Sequence, residues 1–283
     1  MAKKFAQLPA YLRLLIEAAA IYLFVVTGIF IFQRQLEYFA YSAPLGTPTD
    51  AGVPEMSDIH FTTADGLNLF SWFAPPKKKG GEIVVLFHGN GGNIAMRAYK
   101  AGLFLERGYG VLLCEYRGYS GNPGSPSEQG FYSDGRAVLK WLQDKGYKKS
   151  QLVIYGESIG TGVAVQMALE TQPKYLILEA PFTSAADVAK DNYHYLIPVD
   201  LLMFDRFDSI DKIKQINSDL LVIHGTDDGI VPTKFGIQLF KAANQPKRLL
   251  LVHGAGHVDL YNYGAGTPIV DWLDKQVAER KDK

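Results

Sequence analysis

The pentapeptide Gly156-Glu157-Ser158-Ile159-Gly160 places a serine between two glycines, directly after the apolar run Gln151–Tyr155 and at the start of a helical stretch. A side chain on so sharp a strand-to-helix turn, a nucleophile elbow, needs unusual backbone angles and small neighbours. Gly156 and Gly160 provide these, and Gly162 is expected to let the helix approach the sheet. The competing reading is a glycine-rich connection with an idle serine. What separates the two is whether the chain also supplies a base and an acid, because a serine hydroxyl is a weak nucleophile until a neighbouring group takes its proton.

Both partners are present, each on a loop after a later strand. Leu220–His224 is followed by Gly225-Thr226-Asp227-Asp228-Gly229-Ile230-Val231-Pro232, and Arg248–His253 by Gly254-Ala255-Gly256-His257. His257, on a glycine-rich loop, is preferred to His253, whose direction the strand would dictate. His88 and His224 end strands and are expected to brace loops by hydrogen bonding; His60 and His194 lie elsewhere. Asp228 is preferred to Asp227, which then becomes a turn residue capping backbone amides. Asp259 is too near His257 in sequence to be the first choice. A Ser158–His257–Asp228 triad would attack acyl carbonyls, and the resulting oxyanion needs preorganised amides. The amide of Ile159 is one candidate. The other is Asn90, in His88-Gly89-Asn90-Gly91-Gly92-Asn93, a loop that lacks the Gly-Lys-Ser/Thr ending of a phosphate cradle. Such a mechanism calls for no cofactor and no metal.

These residues need a scaffold that brings three distant loops together. Ile59–Thr63 and Leu67–Phe73 flank Asp65-Gly66 as a hairpin. Strand-like runs at Glu82–Phe87, Gly110–Tyr116, Gln151–Tyr155, Tyr175–Glu179, Leu220–His224 and Arg248–His253 then alternate with helical stretches. These stretches are Ile94–Arg107, Phe131–Lys145, Ile159–Glu170, Thr233–Ala243 and Pro268–Glu279. The Ile-Val-Val-Leu-Phe run of Glu82–Phe87 is apolar throughout, as a strand covered on both faces should be, and Gly110–Tyr116 is a second such strand. The alternation predicts an α/β domain with a mostly parallel sheet and helices on both faces. Pro181–Ser218 is too long for an ordinary connection and is expected to form a short, lid-like insertion over the carboxyl ends of the strands. Its apolar residues Tyr195, Leu196, Ile197, Leu201, Leu202, Met203 and Phe204 suit either an acyl pocket, with Leu196, Leu202, Met203 and Phe204 binding substrate, or ordinary packing.

Of 283 residues, 47% are hydrophobic, which excludes a disordered chain, and 29 basic against 29 acidic residues argue against a nucleic-acid binder. Cys114, the single cysteine, excludes an intramolecular disulfide or a multi-cysteine metal site and reads as a buried, inert thiol. Leu14–Phe32 is interrupted only by Glu17, and a bilayer core of ~30 Å needs about 20 helical residues. An uncleaved membrane anchor over 1–33 is favoured over a cleaved signal, whose candidate Ala40-Tyr41-Ser42 lies far downstream, and over a soluble helix, which would show a polar face. Lys3, Lys4 and Arg13 precede the span and Arg34 follows it. This bias puts the N-terminus in the cytoplasm and the rest outside, in the periplasm if the source is bacterial. Residues 34–57, rich in proline and glycine, read as a linker, and 58–283 as the catalytic domain.

From Asp58 onward the chain resembles the α/β-hydrolase superfamily, nearest the membrane-anchored serine aminopeptidase-like or α/β-hydrolase-domain-containing branch. The resemblance is carried by the serine, acid, histidine and His88–Asn93 motifs together with Tyr116-Arg117-Gly118-Tyr119-Ser120-Gly121, Pro126-Ser127-Glu128-Gln129-Gly130 and Pro181-Phe182-Thr183-Ser184. It implies an α/β-hydrolase fold, acid and base at Asp228 and His257, and an N-terminal hydrophobic anchor. The family pattern Asp-Tyr-Arg-Gly-Tyr-Gly is here Glu115-Tyr116-Arg117-Gly118-Tyr119-Ser120, a departure expected to touch loop geometry and not the triad. The expected activity is hydrolysis of acyl esters or thioesters on a small or lipid-like substrate. An amidase or aminopeptidase, or a tethered binding module without chemistry, are the alternatives; no acidic cluster for a peptide amino-terminus is evident.

Overall fold

The apolar runs pair into one eight-stranded sheet, which the computed structural model shows within its described residues, 8–40, 45–192 and 196–281. The strands are β1 (Ser57–Thr62), β2 (Asn68–Ala74), β3 (Ile83–Phe87), β4 (Gly110–Cys114), β5 (Leu152–Glu157), β6 (Tyr175–Glu179), β7 (Asp219–Gly225) and β8 (Lys247–Val252). Their spatial order is β1-β2-β4-β3-β5-β6-β7-β8. The β1–β2 hairpin adds to β4 antiparallel, and all other pairings are parallel. Every residue of β3, β4, β6 and β7 is buried, because the crossover helices cover both faces.

Helices α3 (Glu128–Asp144), α4 (Ile159–Thr171) and α8 (Thr233–Ala242) cover one face, packing on Phe87, Ile154 and Val222. Helices α2 (Ala98–Glu106) and α9 (Gly266–Lys281) cover the other, on Val84, Tyr155 and Ile223. The stretch expected as one helix from Ile94 instead begins as a 3-10 turn, Ile94–Arg97, where the Asn93 side chain accepts the Met96 amide at 3.3 Å. Chain order reverses at β3: β4 lies on one side of it and β5 on the other. That reversal opens a crevice at the carboxyl ends of β3 and β5, where open α/β sheets place their ligands.

Between β6 and β7, the described residues of Pro181–Ser218 include three short helices, α5 (Ala185–Asn192), α6 (Val199–Leu202) and α7 (Ile210–Ile213). The N-terminal apolar stretch is helix α1, Ala10–Glu37, with none of its 28 residues buried. It runs on past residue 33, into what the proline and glycine pattern suggested as linker, because its last turn is held by the domain. Gln33 donates to the Leu202 carbonyl and accepts from the Phe204 amide, and Arg34 forms a two-pronged ion pair with Asp205. Tyr38, Val53 and Met56, also within that linker, are buried core residues. The basic residues Lys3 and Lys4, the cleavage candidate beyond Ala40, Pro44, His194 and Tyr195 lie outside the described residues.

Candidate active site

The sheet register decides which residues meet. Phe87 pairs with Gly156 and Glu157 with Glu179, so the loop after β3 and the turn after β5 emerge side by side. Ser158 sits on that turn at φ 52°, ψ −121°, a strained conformation for a residue with a side chain. Its amide donates to the Glu179 carbonyl at 2.9 Å. The two flanking glycines are required by contact: a Cβ on Gly156 would meet the Gly160 carbonyl oxygen at 2.5 Å, and one on Gly160 would strike the Phe87 and His88 carbonyl oxygens. Gly162 does something other than expected, since it faces the Phe207 ring of the insertion and not the sheet.

From this turn a hydrogen-bonded chain runs across the strand ends. Ser158 Oγ lies 2.8 Å from His257 Nε2, and His257 Nδ1 lies 2.7 Å from Asp228 Oδ2. A carboxylate only accepts, so Nδ1 carries the proton and Nε2 is left to accept the serine hydroxyl. The other Asp228 oxygen accepts the amides of Ile230 and Val231 at 2.9 and 2.8 Å, and His224 Nε2 lies 3.2 Å from Oδ2. Burial by itself would raise the Asp228 carboxyl; the bonds from His224, His257 and Val231 outweigh it and hold Asp228 well below the usual carboxylate range.

The neighbouring acids and histidines are placed elsewhere. Asp227 accepts the Thr226 hydroxyl and not backbone amides, a role that Asp228 and Asp259 take: Asp259 accepts the Gly256 amide at 2.7 Å beside His257. His253 is exposed on the turn after β8. His88 bonds the Gly89 carbonyl and Glu115, and Glu115 also accepts the Ile94 amide. Thus the longer acid that departs from the family pattern ties β4 to the loop after β3. Ser120, at the other departure, adopts φ 49°. Cys114 is fully buried, which pushes its thiol up.

Asn90 and Ile159 both line the cavity at Ser158. Ile159 opens α4, where amides of the first turn have no helical acceptor. The Asn90 side chain donates to the Glu37 carbonyl and accepts from the Phe39 amide, while Tyr119 donates to its carbonyl. The loop is therefore stapled to the end of α1. The cavity has a volume of about 800 Å³ and is lined mainly by apolar side chains. Leu202 and Met203 line it, together with Ile197 and Val199; Leu196 and Phe204 are not among its lining residues. Leu196 is 73% exposed, and Phe204 packs edge-on against Phe30 of α1.

One constellation escaped the sequence pattern. Lys100, 2% exposed, bonds Glu157 at 2.7 Å and Glu179 at 2.8 Å, and Arg97 bonds Glu157 at 2.6 Å and the Gly91 carbonyl at 2.6 Å. This cluster fastens the loop after β3 to the serine turn. Burial opposes charge on Glu157, but Lys100 and Arg97 prevail and hold its carboxyl well below the ordinary range. Burial likewise opposes the Lys100 ammonium, and Glu157 and Glu179 outweigh it. A carboxylate ending a fully apolar strand, as Glu179 does, was the available signal, since buried acids need partners.

A family model described as serine aminopeptidase, S33, matches residues 78–200. An uncharacterized protein of Mycobacterium tuberculosis (strain CDC 1551 / Oshkosh) is 39% identical over 237 residues, covering 83% of this chain and 84% of that protein. The lysophosphatidylserine lipase ABHD12 of Danio rerio is 30% identical over 248 residues, covering 74% of this chain and 64% of the lipase. In structure, the Pyrococcus furiosus esterase Pf2001 superposes with a TM-score of 0.67 at 19% identity, covering 85% of this chain and 98% of the esterase.

Proposed function

Because the chain belongs to the α/β-hydrolase superfamily, we propose that it is a membrane-anchored serine hydrolase of acyl esters or thioesters, with Ser158 as nucleophile, His257 as base and Asp228 as the orienting acid. The observation that carries this reading is the unbroken hydrogen-bond chain of 2.8 and 2.7 Å from a serine on a strained turn through an imidazole to a buried carboxylate. Ser158 Oγ attacks the acyl carbonyl while His257 Nε2 takes its proton. The amides of Asn90 and Ile159 receive the oxyanion, and His257 then returns the proton to the departing alcohol or thiol. Water, deprotonated by His257, releases the acyl group and restores the serine.

Two observations bear on the substrate. The apolar cavity beside Ser158 suits an acyl chain. An aminopeptidase needs a carboxylate available to a substrate ammonium, whereas Glu157 and Glu179, two of the three acids that line the cavity, are engaged by Lys100, which leaves Glu37 at the end of α1. Esters and thioesters are therefore favoured over peptides, although the family model carries an aminopeptidase description. Helix α1 anchors the chain, in this reading, with the hydrolase domain on the non-cytoplasmic side.

The test is fluorophosphonate labelling and turnover of a butyryl ester by the full chain and by Ser158→Ala. Both signals should vanish in the variant while its circular dichroism is unchanged. Retained labelling or turnover would refute the nucleophile. Absence of both from the wild-type chain would favour a binding module without chemistry.

A further inference from the structure

Helix α1 is longer than a bilayer requires. At ~1.5 Å per residue its 28 residues extend about 42 Å, against a hydrocarbon core of ~30 Å. A span starting at Ala10 is complete near Ile29, and about two turns emerge at the C-terminal end. Those turns do not simply lead into the domain; they form one side of the cavity that contains Ser158. Ile29, Gln33 and Leu36 recur at helical spacing along one face, and with Phe30 and Phe39 they line the cavity together with Val199, Leu202 and Met203. The seating is specific: Gln33 makes two backbone bonds to the Leu202–Phe204 segment, Arg34 pairs with buried Asp205, and Asn90 holds the helix end. Leu36 and Phe39 nonetheless remain 57% and 65% exposed. The apolar wall therefore continues from the cavity onto the outer surface of the same helix that would stand in lipid.

We propose that the last two turns of the anchor are the acyl-binding wall of the site, and that the chain of a membrane lipid ester slides along them from the bilayer to Ser158 without crossing water. This rests on the hydrolase reading above and adds to it where the acyl chain lies and how it arrives. The anchor is then a substrate-binding element as well as a tether. It explains why the domain grips α1 through polar bonds at Gln33 and Arg34 while leaving the large apolar side chains just beyond them, Leu36 and Phe39, uncovered.

Cys114 is the only cysteine and is fully buried, so a second thiol can be modified selectively on the folded, full-length protein. Leu36→Cys is reconstituted in phosphatidylcholine vesicles and reacted with a bulky maleimide, with Lys140→Cys, a 72% exposed position on α3 that does not line the cavity, as the control. The readout is the ratio of kcat/KM for dodecanoyl and butyryl esters before and after labelling. Each methylene taken up by the wall should contribute up to about fourfold, corresponding to ~0.8 kcal/mol. Labelling at position 36 should lower the ratio about tenfold or more, as if about two methylenes were excluded, and labelling at position 140 should leave it unchanged. An equal response at the two positions overturns the acyl wall. Loss of butyryl turnover from the wild-type chain, or its survival in Ser158→Ala, instead overturns the hydrolase reading and this inference with it.

Discussion

Replacing Asp228 by asparagine changes one atom and tests the logic of the whole site. The retained oxygen still accepts the Ile230 and Val231 amides, so the loop should keep its shape. The new NH₂, however, faces His257 Nδ1 across 2.7 Å and His224 Nε2 across 3.2 Å, both donors toward the carboxylate. The imidazole escapes by moving its proton to Nε2, and that nitrogen can no longer accept from Ser158. The charge is lost as well. An imidazolium and a carboxylate about 4 Å apart attract by ~4 kcal/mol at an effective dielectric of 20, close to 10³ in rate, and the wrong tautomer raises the loss toward ~10⁴. The assay is single-turnover and steady-state hydrolysis of a butyryl ester by Asp228→Asn and Asp227→Asn, with thermal melting as a check on folding. A folded Asp228→Asn protein within tenfold of wild-type kcat would refute the orienting role. A larger loss in Asp227→Asn would move the acid to that residue.

Other outcomes follow from the same contacts. Gly160→Ala should destabilise by ~3 kcal/mol, because its Cβ strikes the backbone carbonyls of Phe87 and His88; the denaturant midpoint measures it, and an unchanged midpoint would deny the close approach. Lys100→Met leaves Glu157 and Glu179 without their shared cation and should cost about 3–5 kcal/mol in chemical denaturation. The carboxyls of Asp228 and Glu157 lie below their unfolded values in the folded protein. Their stabilisation is complete above the unfolded carboxylate range of about 4 and is lost as pH falls through the depressed values. Melting temperature should thus be level with respect to these groups from pH 5 to 8 and drop below about pH 4. Glu157→Gln should show lower stability near neutrality and a shallower acid limb; an acid limb as steep as that of the wild-type chain would contradict the assignment.

Much of this molecule is legible before any coordinates. The strands announce themselves because residues covered on both faces must be apolar, and every residue of β3, β4, β6 and β7 is buried. The glycines around Ser158 are equally readable, since sharp turns tolerate few residue types and the constraint is local. The loops carrying Asp228 and His257 follow from strand order, because a parallel sheet delivers successive loops to one edge.

What only the tertiary structure decided has no local signature. Arg97 on the 3-10 turn, Lys100 on α2, Glu157 on β5 and Glu179 on β6 become a single charge cluster through strand register and helix packing; Glu179 alone hints at burial, and none of the four names its partners. The division of labour between Asp227 and Asp228 depends on which carboxylate the turn points at His257. The end of α1 was misjudged from composition for a related reason. Gln33 and Arg34 look like residues leaving a membrane helix for solvent, yet partners 169 to 171 positions away in the chain keep them helical. Periodicity and turn chemistry act over a few residues and are written into the sequence; pairing between distant side chains depends on the packed fold, where a buried charge or an amide finds its partner only after the sheet has brought both to the same edge.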